Sequence, residues 1–225
     1  MLEHKTISLA DQVYDRLEAD ILSGKYTRGE VLTELKISEI LGVSRTPVRE
    51  ALHRLAGEHL IEESTRGCTV LGINREDLKD IYEIRCLVEG IAAAKTAERA
   101  TESEIKELSE LVDLQEFYAK RNDADRIKTV DNGFHELIYR LSGSNVIYTT
   151  LVPLHKKIQK YRKASVENSI RAEQSYEEHK AILEAIKKGD TLLANEKMTE
   201  HVKNAYKHIM EKENLVKWDL RLHKK

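Results

Sequence analysis

Two groups of side chains in this 225-residue sequence have types and spacings suited to chemistry. The first is a carboxylate with three imidazoles. Asp131 and His135 stand four residues apart, which stacks both on one face of a helix. His179, within Tyr176 to Leu183, and His201, within Met198 to Val202, lie beside apolar positions of two further helical stretches. Converging from three helices, such a set could hold Zn²⁺, Ni²⁺ or a similar ion. A metal that prefers more than four ligands would keep positions for a bound carboxylate. Taken singly, each histidine is better read as an ordinary helix-surface or hydrogen-bonded residue. His4, His53, His59, His155, His208 and His223 are spread through the chain without such a pattern. Asp-x-x-x-His alone is a weak signal.

The second group lies in Leu41-Gly42-Val43-Ser44-Arg45-Thr46-Pro47-Val48-Arg49-Glu50-Ala51-Leu52. Arg45 and Arg49, one helical turn apart, offer forked donors to guanine O6/N7 or to phosphate oxygens. Thr46 is short enough for a phosphate or base contact. Gly42 allows the tight turn, Val43 buries the elbow, and Ser44 caps the helix whose first turn would enter a major groove. Arg66 and Gly67, at a hairpin tip, could reach a neighbouring minor groove. Two arginines at this spacing alone would merely solvate a helix face; within this turn, and with a wing attached, the DNA reading prevails.

These residues need elements to position them. Ser8 with Asp11 opens a helix whose Val13, Leu17 and Ile21 recur every four residues, and Gly24 ends it. A short helix follows from about Glu34 to Leu41. The next carries Val48, Ala51, Leu52 and Leu55 as one buried stripe. Leu60 to Glu62 and Cys68 to Leu71 read as two strands joined by a turn in which Gly67 permits positive φ. Three helices and a hairpin over residues 1–72 make a winged helix-turn-helix. Residues 73–225 read as an all-helical antiparallel bundle of about six helices, spanning about 75–98, 102–120, 124–141, 146–165, 170–188 and 190–213. Asn74 with Asp77 and Thr101 with Glu104 look like capping boxes. Ile81, Ile84, Val88 and Ile91 give the first of these helices its apolar face. The fold class is mainly α.

Composition agrees with that. Hydrophobic residues make up 40% and charged residues 34%, enough for a core and a solvated surface, while 5% aromatics and two prolines argue against a mainly-β protein. The net charge of −2 names no partner. Residues 1–72 carry nine basic against twelve acidic side chains, a charge of −3. Non-specific attraction to phosphate is therefore weak, and binding must rest on a few placed arginines, with two copies expected on one site. Cys68 and Cys86 cannot build a disulfide framework or a thiolate zinc finger. No apolar run reaches membrane-spanning length and no export signal opens the chain, so a cytoplasmic protein is expected.

The stretch from Glu34 to Ala56 resembles the signature of GntR-family bacterial transcription regulators. That resemblance implies a dimeric regulator in which Arg45, Arg49 and the Arg66-Gly67 wing contact a palindromic operator in double-stranded DNA. Many members carry an arginine at the start of the second helix; this sequence departs from that pattern with Leu35 followed by Lys36, which leaves Lys36 as the candidate for a phosphate contact there. The region from about Asp77 to Met210 is similar to the FCD effector domain of the FadR subfamily, nearest its shorter, VanR-like members. By position, Asp131, His135, His179 and His201 match that domain's metal ligands. The resemblance implies a small carboxylate effector, with Arg85 facing the pocket; the alternative for Arg85 is an i, i+4 pair with Glu89. In the function so implied, a carboxylate bound at the metal modulates operator binding by shifting the placement of the two winged helices. Other readings are a direct metal sensor and, behind it, a metal-dependent hydrolase. The hydrolase needs a general base, and Glu178 and Glu200 each sit about 100° round the helix from a ligand histidine.

Overall fold

The computed structural model describes residues 7–159, 161 and 169–222. They form two compact units that part between Arg75 and Glu76. The end of the helix expected over 146–165 (160 and 162–165) lies outside the described residues, as do residues 223–225.

The first unit begins with α1 (Leu9–Leu22), where Ser8 Oγ accepts from the Asp11 backbone N–H at 3.0 Å. Val13, Leu17 and Ile21 are buried, as their four-residue spacing requires. α1 packs on α3 (Arg45–Gly57), which buries Val48, Ala51, Leu52 and Leu55. Leu55 is 0% exposed, and its truncation to Ala would cost about 2–5 kcal/mol. α2 (Glu34–Leu41) is capped by Thr33 and ends at Gly42 in the left-handed conformation.

The wing is a three-stranded antiparallel sheet rather than a two-stranded hairpin. β1 (Val31–Leu32) lies beside β3 (Gly67–Val70), which pairs in turn with β2 (Ile61–Ser64). Two residues are too few to show alternation, so β1 left no pattern in the sequence. It forms because the outer edge of β3 needs backbone partners: Val31 pairs with Thr69 and Leu32 with Cys68. Gly67 is required there twice over. Its φ is +126°, and a Cβ would come within 2.6 Å of the Leu32 carbonyl oxygen.

Among the described residues the second unit holds six helices: α4 (Arg75–Arg99), α5 (Glu102–Ala119), α6 (Ala124–Leu141), α7 (Asn145–Lys157), α8 (Ser169–Lys187) and α9 (Thr191–Leu222). The Thr101/Glu104 capping box is present in both directions. α5 packs on α6 and α8, and α8 on α9. Gly90 lets α4 and α9 approach closely, since a Cβ there would lie 2.6 Å from Thr199 Oγ1.

One expectation about α4 fails. Its buried face carries Leu78, Ile81, Tyr82, Arg85, Glu89, Ala92 and Ala93, whereas Ile84 and Ile91 are exposed together with Leu87. Of the apolar stripe read from the sequence, Ile81 is buried and Val88 half-buried, while Ile84 and Ile91 lie on the outside. The bundle uses this helix to bring an ion pair inward. α9 also runs well past residue 213.

Candidate metal centre and nucleic-acid interface

α6 turns Asp131, Phe134, His135 and Ile138 inward, so the carboxylate and the imidazole one turn apart share the buried face. His179 of α8 and His201 of α9 come from the neighbouring helices, and all four side chains are buried. Their ligand atoms lie within 4.8 Å of one another. His135 Nε2 is 3.2 Å from His201 Nε2, His179 Nε2 is 3.3 Å from His201 Nε2, and Asp131 Oδ1 is 3.5 Å from His179 Nε2. Tetrahedral bonds of about 2.0–2.1 Å to one ion would set nitrogen pairs about 3.3–3.4 Å apart. The donor set fits a divalent cation.

The orientation of the rings makes the fit specific. His135 Nδ1 is 2.8 Å from Glu89 Oε2, His179 Nδ1 is 2.6 Å from Gln115 Oε1, and His201 Nδ1 is 2.7 Å from Glu178 Oε2. Gln115 Nε2 donates to Ser175 Oγ at 3.4 Å, which leaves Oε1 as the acceptor. With every Nδ1–H committed to an acceptor, each Nε2 presents a lone pair to the same point. Lone pairs facing each other at 3.2 and 3.3 Å repel; a shared cation turns that repulsion into coordination.

Those outer acceptors are themselves held. Glu178 receives both Nη groups of Arg171 at 2.9 and 2.8 Å and Asn204 Nδ2 at 2.9 Å. Glu89 receives Arg85 Nε at 2.5 Å. Burial alone would raise the Glu89 carboxyl, but the Arg85 charge and His135 hold it well below the usual range. Arg85 is buried and pairs with Glu89, the i, i+4 alternative read from the sequence. Its Nη1 is buried with no hydrogen-bond partner among the described residues, and so is Nε2 of His155, whose ring centroid lies 5.1 Å from that of His135. Burial, followed by the Arg85 charge, pushes His155 well below its ordinary value, which keeps it neutral.

Glu89, Gln115 and Glu178 escaped the sequence reading as partners of these histidines. Glu200, the other acid beside a histidine, is exposed and pairs with Lys197 at 2.9 Å.

In the first unit, Arg45, Thr46, Arg49 and His53 are exposed on α3. Arg45, Arg49 and His53, together with Glu34 and the wing residues Glu63 to Cys68, line a groove of about 600 Å³, and Thr46 lies outside it. Arg66 is exposed at the wing tip, its backbone N–H donating to Ser64 Oγ at 3.2 Å. Lys36 Nζ lies 3.5 Å from Glu30 Oε1. Ser44 occupies the N-cap position of α3, but its side chain makes no capping hydrogen bond. That expectation is corrected: the hydroxyl stays exposed instead of serving the helix end.

Glu34, which reads as an ordinary acid in a first helical turn, gathers both arginines. Arg45 donates from Nε and Nη2 to Oε2 at 3.1 and 2.9 Å. Arg49 donates from Nε to Oε1 at 2.7 Å and from Nη2 to Oε2 at 2.9 Å. The Arg49 hydrogen bonds, with those of Arg45, pull the Glu34 carboxyl down to about 2.

Known proteins resemble both units. The FCD domain family matches residues 80–204, and the family described as bacterial regulatory proteins, gntR family, matches residues 9–71. The gluconate operon transcriptional repressor of Bacillus subtilis (strain 168) is 30% identical over 184 residues, covering 79% of this chain and 75% of the relative. The HTH-type transcriptional repressor RspR of Escherichia coli (strain K12) is 28% identical over 192 residues, with 85% and 84% covered. The solved structure of E. coli McbR/YncC shares the fold, with a TM-score of 0.76 at 24% identity over 92% of this chain and 99% of that one. The chain belongs to the GntR family of bacterial transcription regulators and is, accordingly, a DNA-binding regulator with an FCD domain rather than an enzyme.

Proposed function

We propose that this regulator is a metabolite-responsive repressor acting as a homodimer on a palindromic operator. Arg45 and Arg49 read base edges from the first turns of α3, with Ser44, Thr46 and Lys36 on phosphates and Arg66-Gly67 in the minor groove. In the second unit Asp131, His135, His179 and His201 hold a divalent ion, Zn²⁺ or Ni²⁺ by donor type. Such an ion would supply a Lewis-acidic point for a small carboxylate by taking it as a fifth ligand beyond the four protein donors. Arg85 faces the same interior with a spare Nη1, suited to the ligand's anionic end. The name of one relative, a gluconate operon repressor, agrees with that class, since gluconate is a small hydroxylated carboxylate.

The observation that carries this reading is the commitment of all three Nδ1 atoms to Glu89, Gln115 and Glu178 while the Nε2 atoms converge. Dimerisation is supported by the exposed apolar stripe of Ile84, Leu87 and Ile91 on α4. It is supported also by the −3 charge of residues 1–72, which leaves one copy little non-specific hold on DNA. Effector binding changes operator affinity only by the ratio of the ligand's affinities for the two states of the dimer.

The test has two steps. Protein purified without chelator is assayed for metal beside a His179→Ala variant, and the metal-loaded form is then screened against small organic acids by thermal shift. The reading expects one ion per chain, lost in the variant, and an acid that stabilises only loaded protein and alters operator binding. Purification without stoichiometric metal would overturn the centre. Operator binding that responds to metal removal with no acid present would instead establish a direct metal sensor.

A further inference from the structure

One carboxylate holds both candidate recognition arginines. Glu34 opens α2 and reaches α3, where it accepts the four hydrogen bonds described above at 2.7–3.1 Å. All four come from the same edge of each guanidinium, the Nε/Nη2 side. The end-on edge of each fork, Nη1 with the outer hydrogen of Nη2, is left facing away from the carboxylate. That is an edge able to span O6 and N7 of guanine with two parallel hydrogen bonds. The two arginine side chains are 61% and 64% exposed, whereas Glu34 is 24% exposed, so the anchor is the more buried partner.

We propose that Glu34 is the positioning residue for sequence recognition. It fixes the direction of both forks and offsets one of their two charges, so that binding gains discrimination and loses indiscriminate attraction to phosphate. This rests on the reading that Arg45 and Arg49 contact DNA. An exposed arginine with no anchor turns to the nearest phosphate, a contact that carries no sequence information. Each such contact adds about 0.9 to the slope of log K against log salt. Held by Glu34, the forks meet base edges in a set orientation, and a phosphate must compete with a carboxylate already in place.

The experiment uses the full chain and two duplexes, one of random sequence and one enriched by the wild-type protein from a randomised pool. Binding to each is measured by fluorescence anisotropy from 50 to 200 mM salt for wild type, Glu34→Gln and Glu34→Asp, with thermal melts to show that the variants fold. Glu34→Gln should bind the random duplex more tightly, and its ratio of enriched to random affinity should fall about tenfold. Its random-duplex slope should steepen by about 0.9 per released arginine, an extra loss of about 3.5-fold across that salt range. Glu34→Asp, which keeps the charge on a shorter arm, should recover part of the ratio. An unchanged ratio in Glu34→Gln, whatever the absolute affinities, overturns the proposal. Arg45→Ala and Arg49→Ala separate the two levels. If both leave the enriched duplex tightly bound, the DNA-contact reading fails; if they weaken it while Glu34→Gln keeps the ratio, only the positioning role fails.

Discussion

Gln115→Ala probes the proposed metal centre through a residue that would never touch the ion. Gln115 is 0% exposed, and its Oε1 lies 2.6 Å from His179 Nδ1. Without the amide, the His179 ring is free to carry its proton on Nε2, toward Asp131 Oδ1 at 3.5 Å. A ring protonated there cannot ligate until it loses that proton. Loss of such an outer partner lowers metal affinity about 10–100-fold, which is about 1.4–2.7 kcal/mol. With free metal at about 100 times the wild-type Kd, the wild type gains about 2.7 kcal/mol from binding, whereas a variant about 30-fold weaker gains about 0.9. The deficit of about 1.8 kcal/mol lowers the metal-loaded Tm by roughly 4–7 °C for a chain of this size. Chelator competition gives Kd, and calorimetry of the apo and loaded forms separates metal affinity from any change in the apo fold. Gln115→Glu retains an acceptor at the same reach and should keep Kd near wild type. Equal Kd in wild type and Gln115→Ala, or an equal loss in Gln115→Glu, would refute the tautomer argument.

Arg85→Lys should keep a positive charge beside Glu89, and hence the metal, while weakening carboxylate binding about tenfold in a calorimetric titration. Arg85→Ala should in addition destabilise the fold by about 3–5 kcal/mol in urea, because it leaves the buried Glu89 charge uncompensated. Gly67→Ala places a Cβ within 2.6 Å of the Leu32 carbonyl oxygen at a φ of +126°. It should cost about 1–3 kcal/mol by chemical denaturation and loosen wing-dependent DNA binding. The Glu34 carboxyl sits at about 2 against an ordinary 4.5. A value depressed by folding means that the clamp is fully formed above the ordinary value and is lost only as pH falls toward about 2. A carboxyl titration by NMR should show that midpoint, and Arg49→Ala should move it up toward 4.5.

The local chemistry of this protein was legible in its sequence. Residue spacing along one helix depends only on the 3.6-residue turn, so Asp131 and His135 on one face, and the buried stripe Val48, Ala51, Leu52 and Leu55, followed from position alone. Ser8 and the Thr101/Glu104 box could be read for the same reason, because a cap acts within three residues. What tertiary structure decided was which long-range neighbours meet. Gln115 lies 64 residues from His179, Glu89 46 from His135 and Glu178 23 from His201, and no short-range signal relates them. The apolar spacing of Ile84 and Ile91 was real, yet it faces outward, because α4 spends its inner face on Arg85 and Glu89. Periodicity tells that a helix has a distinct face; only packing against other helices tells which way that face points. Likewise, Glu34 becomes the partner of both arginines because the turn between α2 and α3 folds their first turns together, a juxtaposition set by a tight corner rather than by the residues one at a time.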